Sequence, residues 1–273
     1  MKALFIHPEG RESYWNDLAG MQKDLQSLED EFTPDVLLTA EDVAPIAKAQ
    51  DLARALGDVK VPPRVLLLVN GTNEGPGEIK GNISVLSCQS GSARQVSIVP
   101  KKVRAGHDFP FGILNPADGL WYVPRGNVPS EGFEKMPLHE PGVREYCPPG
   151  YSLFTPPLAD ADFSKRSAKI WLPICDDKEI SPDYFDLCLY SSSGGVPIPP
   201  YAFRKNPQAV ALRADRGFCS VQTRGSFFSA YDPAKDEPQF ALCWTDYVCL
   251  KRTAVREGVT LFDIADEIPN RLV

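Results

Sequence analysis

Three apolar segments of the chain end at residues whose side chains can take part in a reaction: an acid, a cation and a thiol. The run 170–174 ends at Cys175, and two earlier predicted strands end near Glu41 and Lys102. Side chains at such positions lie at the edge of a sheet, where polar loops begin and reactive groups are commonly held. The combination predicts covalent catalysis with Cys175 as the nucleophile.

Each of the three groups has a defined task in a hydrolysis that passes through a covalent intermediate. Cys175 would attack the substrate carbon, and Glu41 would accept the thiol proton and later protonate the leaving group. Lys102 and the backbone N–H that follows Cys175 would stabilise the oxyanion. The chain has only three histidines, so a mechanism that needs a histidine base has few candidates.

Composition and charge exclude several other classes of protein. The 273 residues, 43% hydrophobic and 24% charged, are typical of a globular protein, and we expect one domain spanning residues 1–273. No apolar run approaches the roughly 18 residues of a membrane helix, and we predict neither a cleaved leader nor a membrane partner. The net charge of −7 argues against nucleic acid as a partner.

The cysteines predict a reducing compartment. They are seven in number, lie mostly within apolar strands, and show neither paired CxxC spacing nor histidine spacing suited to zinc. We therefore expect free thiols in a cytoplasmic protein that uses no metal. We also expect a small-molecule substrate and no cofactor.

The hydrophobic pattern predicts mainly strands, with a few helices. Helices are expected at 14–31, 46–56 and 204–216. Strands are expected at 2–6, 35–39, 64–70, 82–87, 95–99, 168–174, 186–190, 217–223, 227–231, 240–244, 246–250 and 259–263. Alternating strands and helices at the N-terminus, followed by a strand meander over 65–99, indicate an α/β protein with mixed sheets. The Pro- and Gly-rich segment 106–165 lacks periodicity, and we expect it to form a loop that covers the substrate pocket.

Several short motifs, taken in order, resemble the carbon–nitrogen hydrolase (nitrilase) superfamily. The segment 34–41, PDVLLTAE, is similar to the family's strand that ends in its catalytic acid, and 99–102, VPKK, is similar to its lysine strand. The segment 174–177, ICDD, resembles the cysteine strand, and 145–150, EYCPPG, resembles the loop that carries a second active-site glutamate. The likeness spans most of the chain as many weak matches.

The resemblance implies an α-β-β-α sandwich of mixed sheets and a Glu-Lys-Cys triad. Carried over by position, the catalytic residues are Glu41, Lys102 and Cys175, with Lys101 as the alternative lysine and Glu145 as the second glutamate. The family commonly pairs its subunits, so a homodimer is also expected. The chain departs from the pattern at Asp176, where the family usually has an aromatic residue, and a carboxylate there would raise the thiol pKa unless a cation pairs with it.

The function implied is hydrolysis of a small amide, carbamoyl compound or nitrile through a cysteine thioester. Two alternatives stay open. One is a binding or scaffold protein on the same fold whose triad has decayed, which the departure at Asp176 suggests. The other is an acyltransferase that passes the thioester to an amine or alcohol and excludes water. Trp121 and Trp171 are either an apolar rim of the pocket or part of the core.

Overall fold

The protein is described here by a computed structural model. It describes residues 1–6, 34–41, 54, 64–69, 73–103, 110–115, 117–124, 137–146, 155–192, 198–215, 218–223, 249–256, 259–264 and 272. The predicted helices 14–31 and 46–56 lie outside these residues except for Arg54, as do the predicted strands 227–231 and 240–244. Within the described residues no helix is long and apolar enough to cross a membrane.

The first sheet has seven strands in the order β16-β17-β1-β2-β3-β6-β7. Their bounds are β1 Lys2–Ile6, β2 Val36–Thr39, β3 Val65–Val69, β6 Ile83–Ser90, β7 Ala93–Pro100, β16 Cys249–Arg256 and β17 Val259–Ile264. The neighbours β1, β2 and β3 are parallel, and the other pairs are antiparallel. The expected parallel N-terminal strands and the antiparallel meander after them are confirmed.

The second sheet has five strands in the order β11-β12-β13-β14-β15 and is also mixed. Their bounds are β11 Leu158–Asp162, β12 Ser167–Trp171, β13 Leu187–Ser191, β14 Val210–Asp215 and β15 Phe218–Thr223. The three central strands run parallel, and the two edge strands run antiparallel to their neighbours.

The two sheets pack face to face and share one hydrophobic core. Leu38 and Leu67 of the first sheet belong to the same buried cluster as Ile170, Leu189 and Leu212 of the second. Strand β2 contacts β13 and β14, and β6 contacts β11. This is the expected double layer of mixed sheets, whose interface brings the ends of β2 and β13 to one place.

The outer face of the second sheet is covered by the short helix α1, Pro200–Lys205. Trp171, Tyr190 and Phe203 form a separate buried cluster there with Phe185 and their smaller neighbours. Residues alternate along β13, since Leu187 and Leu189 face the other sheet whereas Cys188 and Tyr190 face α1. Strands β13 and β14 are therefore buried on both faces, and Trp171 is a core residue rather than a pocket rim.

The prediction of a helix at 204–216 is wrong. Helix α1 ends at Lys205, and residues 210–215 form β14, which pairs in parallel with β13. Every residue of β14 is buried. An apolar run that is buried on both faces has no alternation, and its pattern does not distinguish a strand from a helix. Of the predicted strand 246–250, residues 246–248 lie outside the described residues, and residues 249–250 belong to β16.

The segment 106–165, expected to be a loop, contains regular structure in its described parts. Strands β8 Ile113–Leu114, β9 Trp121–Pro124 and β10 Val143–Tyr146 form a three-stranded sheet. Beside it lie the two-stranded sheet of β4 Asn73–Glu74 and β5 Lys80–Gly81 and the 3-10 helix Pro76–Glu78. Trp121 is buried, a Cβ atom at Gly75 would overlap its ring, and Cβ atoms at Gly81 and Gly112 would lie only 3.0 and 3.2 Å from it. Trp121 therefore belongs to a small core, and strands of two to four residues were too short for their period to be visible.

A buried ion pair in β14 provides a test of the second sheet. Arg213 and Asp215 are almost fully buried and in contact, and the guanidinium also lies 5.2 Å from the centre of the Tyr190 ring. Asp215→Ala leaves a buried cation without this carboxylate, and we expect the free energy of unfolding in urea to fall by about 3–5 kcal/mol.

The matched control is the surface pair of Lys205 and Asp183, whose side chains are 62% and 93% exposed. Asp183→Ala should leave the free energy of unfolding essentially unchanged, because solvent screens an exposed pair. Equal effects of the two substitutions would contradict the buried position of β14.

Candidate active site

Glu41 stands just beyond the end of β2 and is 1% exposed. Its Oε1 atom lies 3.4 Å from the Nζ atom of Lys101 and accepts a short hydrogen bond from the side-chain amide of Asn82. Its backbone N–H donates to the carbonyl oxygen of Ser192, which follows β13. A carboxylate, an ammonium and an amide donor thus form a buried polar cluster between the sheets.

The lysine of this cluster is Lys101, the alternative that the sequence left open. Lys101 is fully buried, and its backbone N–H donates to Asn82 O, which extends the pairing of β7 with β6 by one residue. Directly opposite residues of an antiparallel pair point to the same face, so the side chains of Lys101 and Asn82 both reach Glu41. Lys102 is half-buried, and its backbone N–H binds the Asp177 carboxylate instead. The geometry favours Lys101.

Cys175 opens the 3-10 helix Cys175–Glu179, with φ of 49°. A non-glycine residue in this left-handed region is uncommon, and such conformations cluster at functional sites. The residue is 9% exposed. Burial, and next the Glu41 carboxylate, raise the pKa of the thiol to about 12, whereas the Lys101 ammonium lowers it. At neutral pH the sulfur is therefore protonated, and a base must remove its proton before it attacks.

Backbone contacts bring the strand ends of the two sheets together. Ile174, the residue before Cys175, forms a bridge with Ser191. The Ser191 hydroxyl donates to the carbonyl oxygen of Thr39 at 2.7 Å, and Ser192 O accepts the N–H of Glu41 at 3.3 Å. The end of β13 thus lies between Glu41 and the turn that begins at Cys175. The Glu41 carboxylate raises the pKa of the Cys175 thiol, and the Lys101 ammonium lowers it.

Asp176, the departure from the family pattern, is paired with a cation. Its Oδ1 atom lies 2.9 Å from the Nζ atom of Lys178, which is 4% exposed, and Glu179 lies 3.8 Å from the same ammonium. Asp176 raises the pKa of the Cys175 thiol, and Lys178 lowers it. The ammonium therefore offsets part of the effect of the added carboxylate, and it is the paired cation that the sequence analysis required.

Two buried residues of the site were not identified from the sequence. Asn82 holds the Glu41 carboxylate, and Asp177 accepts hydrogen bonds from the backbone N–H groups of Lys102 and Val103. Asn82 is the first residue of the predicted strand 82–87, and Asp177 lies within the segment 174–177. Nothing in the sequence showed that the side chains of these two polar residues point inward.

Glu145, the expected second glutamate, lies on β10 of the three-stranded sheet and is exposed to solvent. Its backbone pairs with Val123. Its position differs from that of Glu41, which is buried between the two large sheets. A catalytic role for Glu145 stays a prediction.

The arrangement is suited to acid–base and nucleophilic chemistry. A buried carboxylate next to a protonated thiol can take the thiol proton, and an adjacent ammonium can stabilise negative charge that forms on a substrate oxygen. Within the described residues, no group of three or more His, Cys, Asp and Glu side chains could hold a metal ion.

No protein-family model matches the chain, and no curated protein matches it in sequence. Solved structures do match. A cysteine-to-alanine variant of the Nesterenkonia sp. AN1 amidase, of the nitrilase superfamily, is 14% identical, with 99% of this chain and 94% of that chain covered and a TM-score of 0.51.

A glutamate-to-glutamine variant of the same amidase carries the acetamide moiety of fluoroacetamide on its active-site cysteine. It is 11% identical, with 100% of this chain and 92% of that chain covered and a TM-score of 0.53. A third structure, a cysteine-to-alanine variant in complex with butyramide, is 13% identical, with 99% and 94% covered and a TM-score of 0.50. The chain thus has the fold of nitrilase-superfamily amidases over nearly its whole length.

Asp176→Asn tests the electrostatic balance around the thiol. Removing a carboxylate that raises the thiol pKa should lower that pKa, and the rate at which iodoacetamide alkylates Cys175 should rise a few-fold between pH 7 and 9. Peptide mass spectrometry of timed samples measures the rate at this cysteine alone.

The matched control is Glu179→Gln, which removes a neighbouring carboxylate that is 57% exposed and lies farther from the Lys178 ammonium. We expect it to leave the alkylation rate of Cys175 unchanged. A slower or unaltered reaction in Asp176→Asn would show that the Asp176 charge does not act on the sulfur.

Proposed function

We propose that the protein is a cysteine-dependent hydrolase that cleaves the carbon–nitrogen bond of a small amide through a thioester. The observation that carries this proposal is the buried contact between Glu41 and Lys101 next to Cys175, on a fold that matches amidases. Carbamoyl compounds and nitriles fit the same chemistry and are the other substrate classes to test.

In the first half of the reaction, the Glu41 carboxylate takes the thiol proton while Cys175 Sγ attacks the substrate carbon. The carbonyl electron pair moves to oxygen, where the Lys101 ammonium and the N–H of Asp176 stabilise the charge. The intermediate then collapses, and the leaving nitrogen takes the proton from Glu41. The product of this half is a thioester on Cys175 and free ammonia or amine.

In the second half, water attacks the thioester carbon and gives its proton to Glu41. Collapse of the second intermediate breaks the carbon–sulfur bond, and the sulfur regains a proton from Glu41. Glu41 thus takes part in four proton transfers in one turnover, and Asn82 keeps the Oε1 atom of Glu41 in position throughout. The water-excluding location between the two sheets strengthens each of these interactions.

A binding protein with an inactive thiol is the second candidate. The observation that favours it is the high pKa of Cys175, to which Asp176 contributes. The pairing of Asp176 with Lys178 and the contact of Lys101 with Glu41 argue against it, because both arrangements would be needless in a site that had lost its reaction. Activity measurements on substituted proteins separate the two candidates.

Substitution of the nucleophile and the base tests the proposed function directly. Cys175→Ala should abolish turnover of a panel of small amides, carbamoyl compounds and nitriles, while the thermal midpoint stays nearly unchanged. Glu41→Gln should lower kcat by about 10²–10⁴-fold, because it removes the proton acceptor.

Cys188→Ala is the control, since Cys188 is a buried thiol on the opposite face of the second sheet. Its turnover should match that of the unchanged protein. Full activity in Glu41→Gln, or equal losses in both cysteine variants, would contradict the mechanism.

The two adjacent lysines provide a second test. Lys101→Met should lower kcat by about 10²–10³-fold, the usual loss when one oxyanion donor is removed. Lys102→Met should have little effect, because Lys102 contributes its backbone N–H, which the substitution keeps. Steady-state kinetics of both variants measures the difference, and a larger loss in Lys102→Met would assign the ammonium role to Lys102.

A further inference from the structure

Asp177 connects the nucleophile turn to the lysine strand. It lies two residues after Cys175 in the 3-10 helix and is fully buried. One carboxylate oxygen, Oδ1, accepts the backbone N–H groups of Lys102 at 2.8 Å and of Val103 at 2.7 Å. The other oxygen, Oδ2, lies 3.4 Å from the backbone nitrogen of Ile174 and accepts its N–H.

These contacts satisfy donors on both sides of the active site. Lys102 and Val103 follow Lys101 directly, and Ile174 directly precedes Cys175. One rigid carboxylate therefore spans the two chain segments that carry the ammonium and the thiol. The two segments come from different sheets, and they are held together here by a side chain rather than by strand pairing.

A buried carboxylate in this position destabilises the folded protein unless its hydrogen bonds and nearby charges compensate for the loss of water. Burial raises the pKa of Asp177 to about 7, although the Lys101 ammonium and the three backbone hydrogen bonds lower it. Removing an acid from water without full compensation is unfavourable, and an apolar residue would fill the same space without that penalty. A short side chain with two acceptor oxygens is, however, what three converging N–H groups require.

We infer that Asp177 is a positioning residue, which fixes the distance between the Cys175 thiol and the Lys101 ammonium by tying their backbones together. This inference rests on the proposed function. The effect of Asp177 on the reactivity of the Cys175 sulfur can nevertheless be measured without turnover. Because Lys101 lowers the pKa of Cys175, loss of the tie moves the ammonium away from the sulfur and makes the thiol less reactive.

Asp177→Asn and Asp177→Ala test the inference by graded removal of the tie. Asparagine keeps one acceptor oxygen but turns an NH₂ group towards a backbone donor, and alanine removes all three bonds. The iodoacetamide reaction of Cys175 at pH 8 should be slowest in Asp177→Ala, by about tenfold, and intermediate in Asp177→Asn. With an amide substrate, kcat should fall by about 100-fold in Asp177→Ala while KM changes little.

Other roles for Asp177 predict different results. If its charge acted on the sulfur only through space, removing a negative charge would lower the thiol pKa, and alkylation would become faster. If the residue only stabilised the fold, alkylation of the folded variants would keep the rate of the unchanged protein. Either result would overturn the inference.

Internal and matched controls show whether a variant has unfolded. Cys88 and Cys188 are buried in the core, and their labelling in the same samples rises if a variant opens. Asp183→Asn makes the same chemical change at an exposed carboxylate and should alter neither alkylation nor kcat. Slower alkylation in the Asp177 variants with no turnover in the unchanged protein would support the tie and reject the proposed hydrolase. Turnover in the unchanged protein with unaltered alkylation in the Asp177 variants would support the proposed hydrolase and reject the tie.

Discussion

The site depends on a buried contact between the Glu41 carboxylate and the Lys101 ammonium, 3.4 Å apart and shielded from solvent. Two charges removed from water are unfavourable unless each compensates the other and further hydrogen bonds complete the arrangement. Asn82 supplies one such bond to Glu41. Because breaking a buried pair leaves a charge without compensation, the ends of β2 and β7 are held in one relative position.

The second sheet completes this arrangement from the opposite side. Its apolar face shares a core with the first sheet, and this packing brings Ser191 and Ser192 into hydrogen-bond contact with Thr39 and Glu41. The turn after β12 then presents Cys175 in a left-handed conformation. The thiol is protonated at neutral pH because it is buried beside a carboxylate, so in the proposed mechanism its activation depends on proton transfer to Glu41. Packing between the sheets thus controls how the proposed nucleophile and base are placed.

Much of this arrangement was predictable from the sequence because buried strands leave continuous apolar runs. The runs before Glu41 and Cys175 identified both strand ends, and both residues lie where those ends meet the opposing sheet. The lysine was ambiguous because β7 is an edge strand with half of its residues exposed, and its final proline obscures the alternation that assigns a face. Only its pairing with β6 shows that Lys101 points towards Glu41. Long-range contacts, such as that of Asp177 with the backbone of Lys102 and Val103, leave no local pattern in the sequence.

In the proposed mechanism, Glu41 and Lys101 act together on the sulfur of Cys175. The most direct measurement is peptide mapping of the folded protein after treatment with fluoroacetamide, a weak alkylating agent that discriminates an assisted thiol from an ordinary one. We expect an acetamide adduct on Cys175, with Cys88 and Cys188 unmodified, and a much slower reaction in Lys101→Met. A folded protein whose Cys175 reacts no faster than a thiol in a short peptide, or reacts equally in Lys101→Met, would contradict the mechanism.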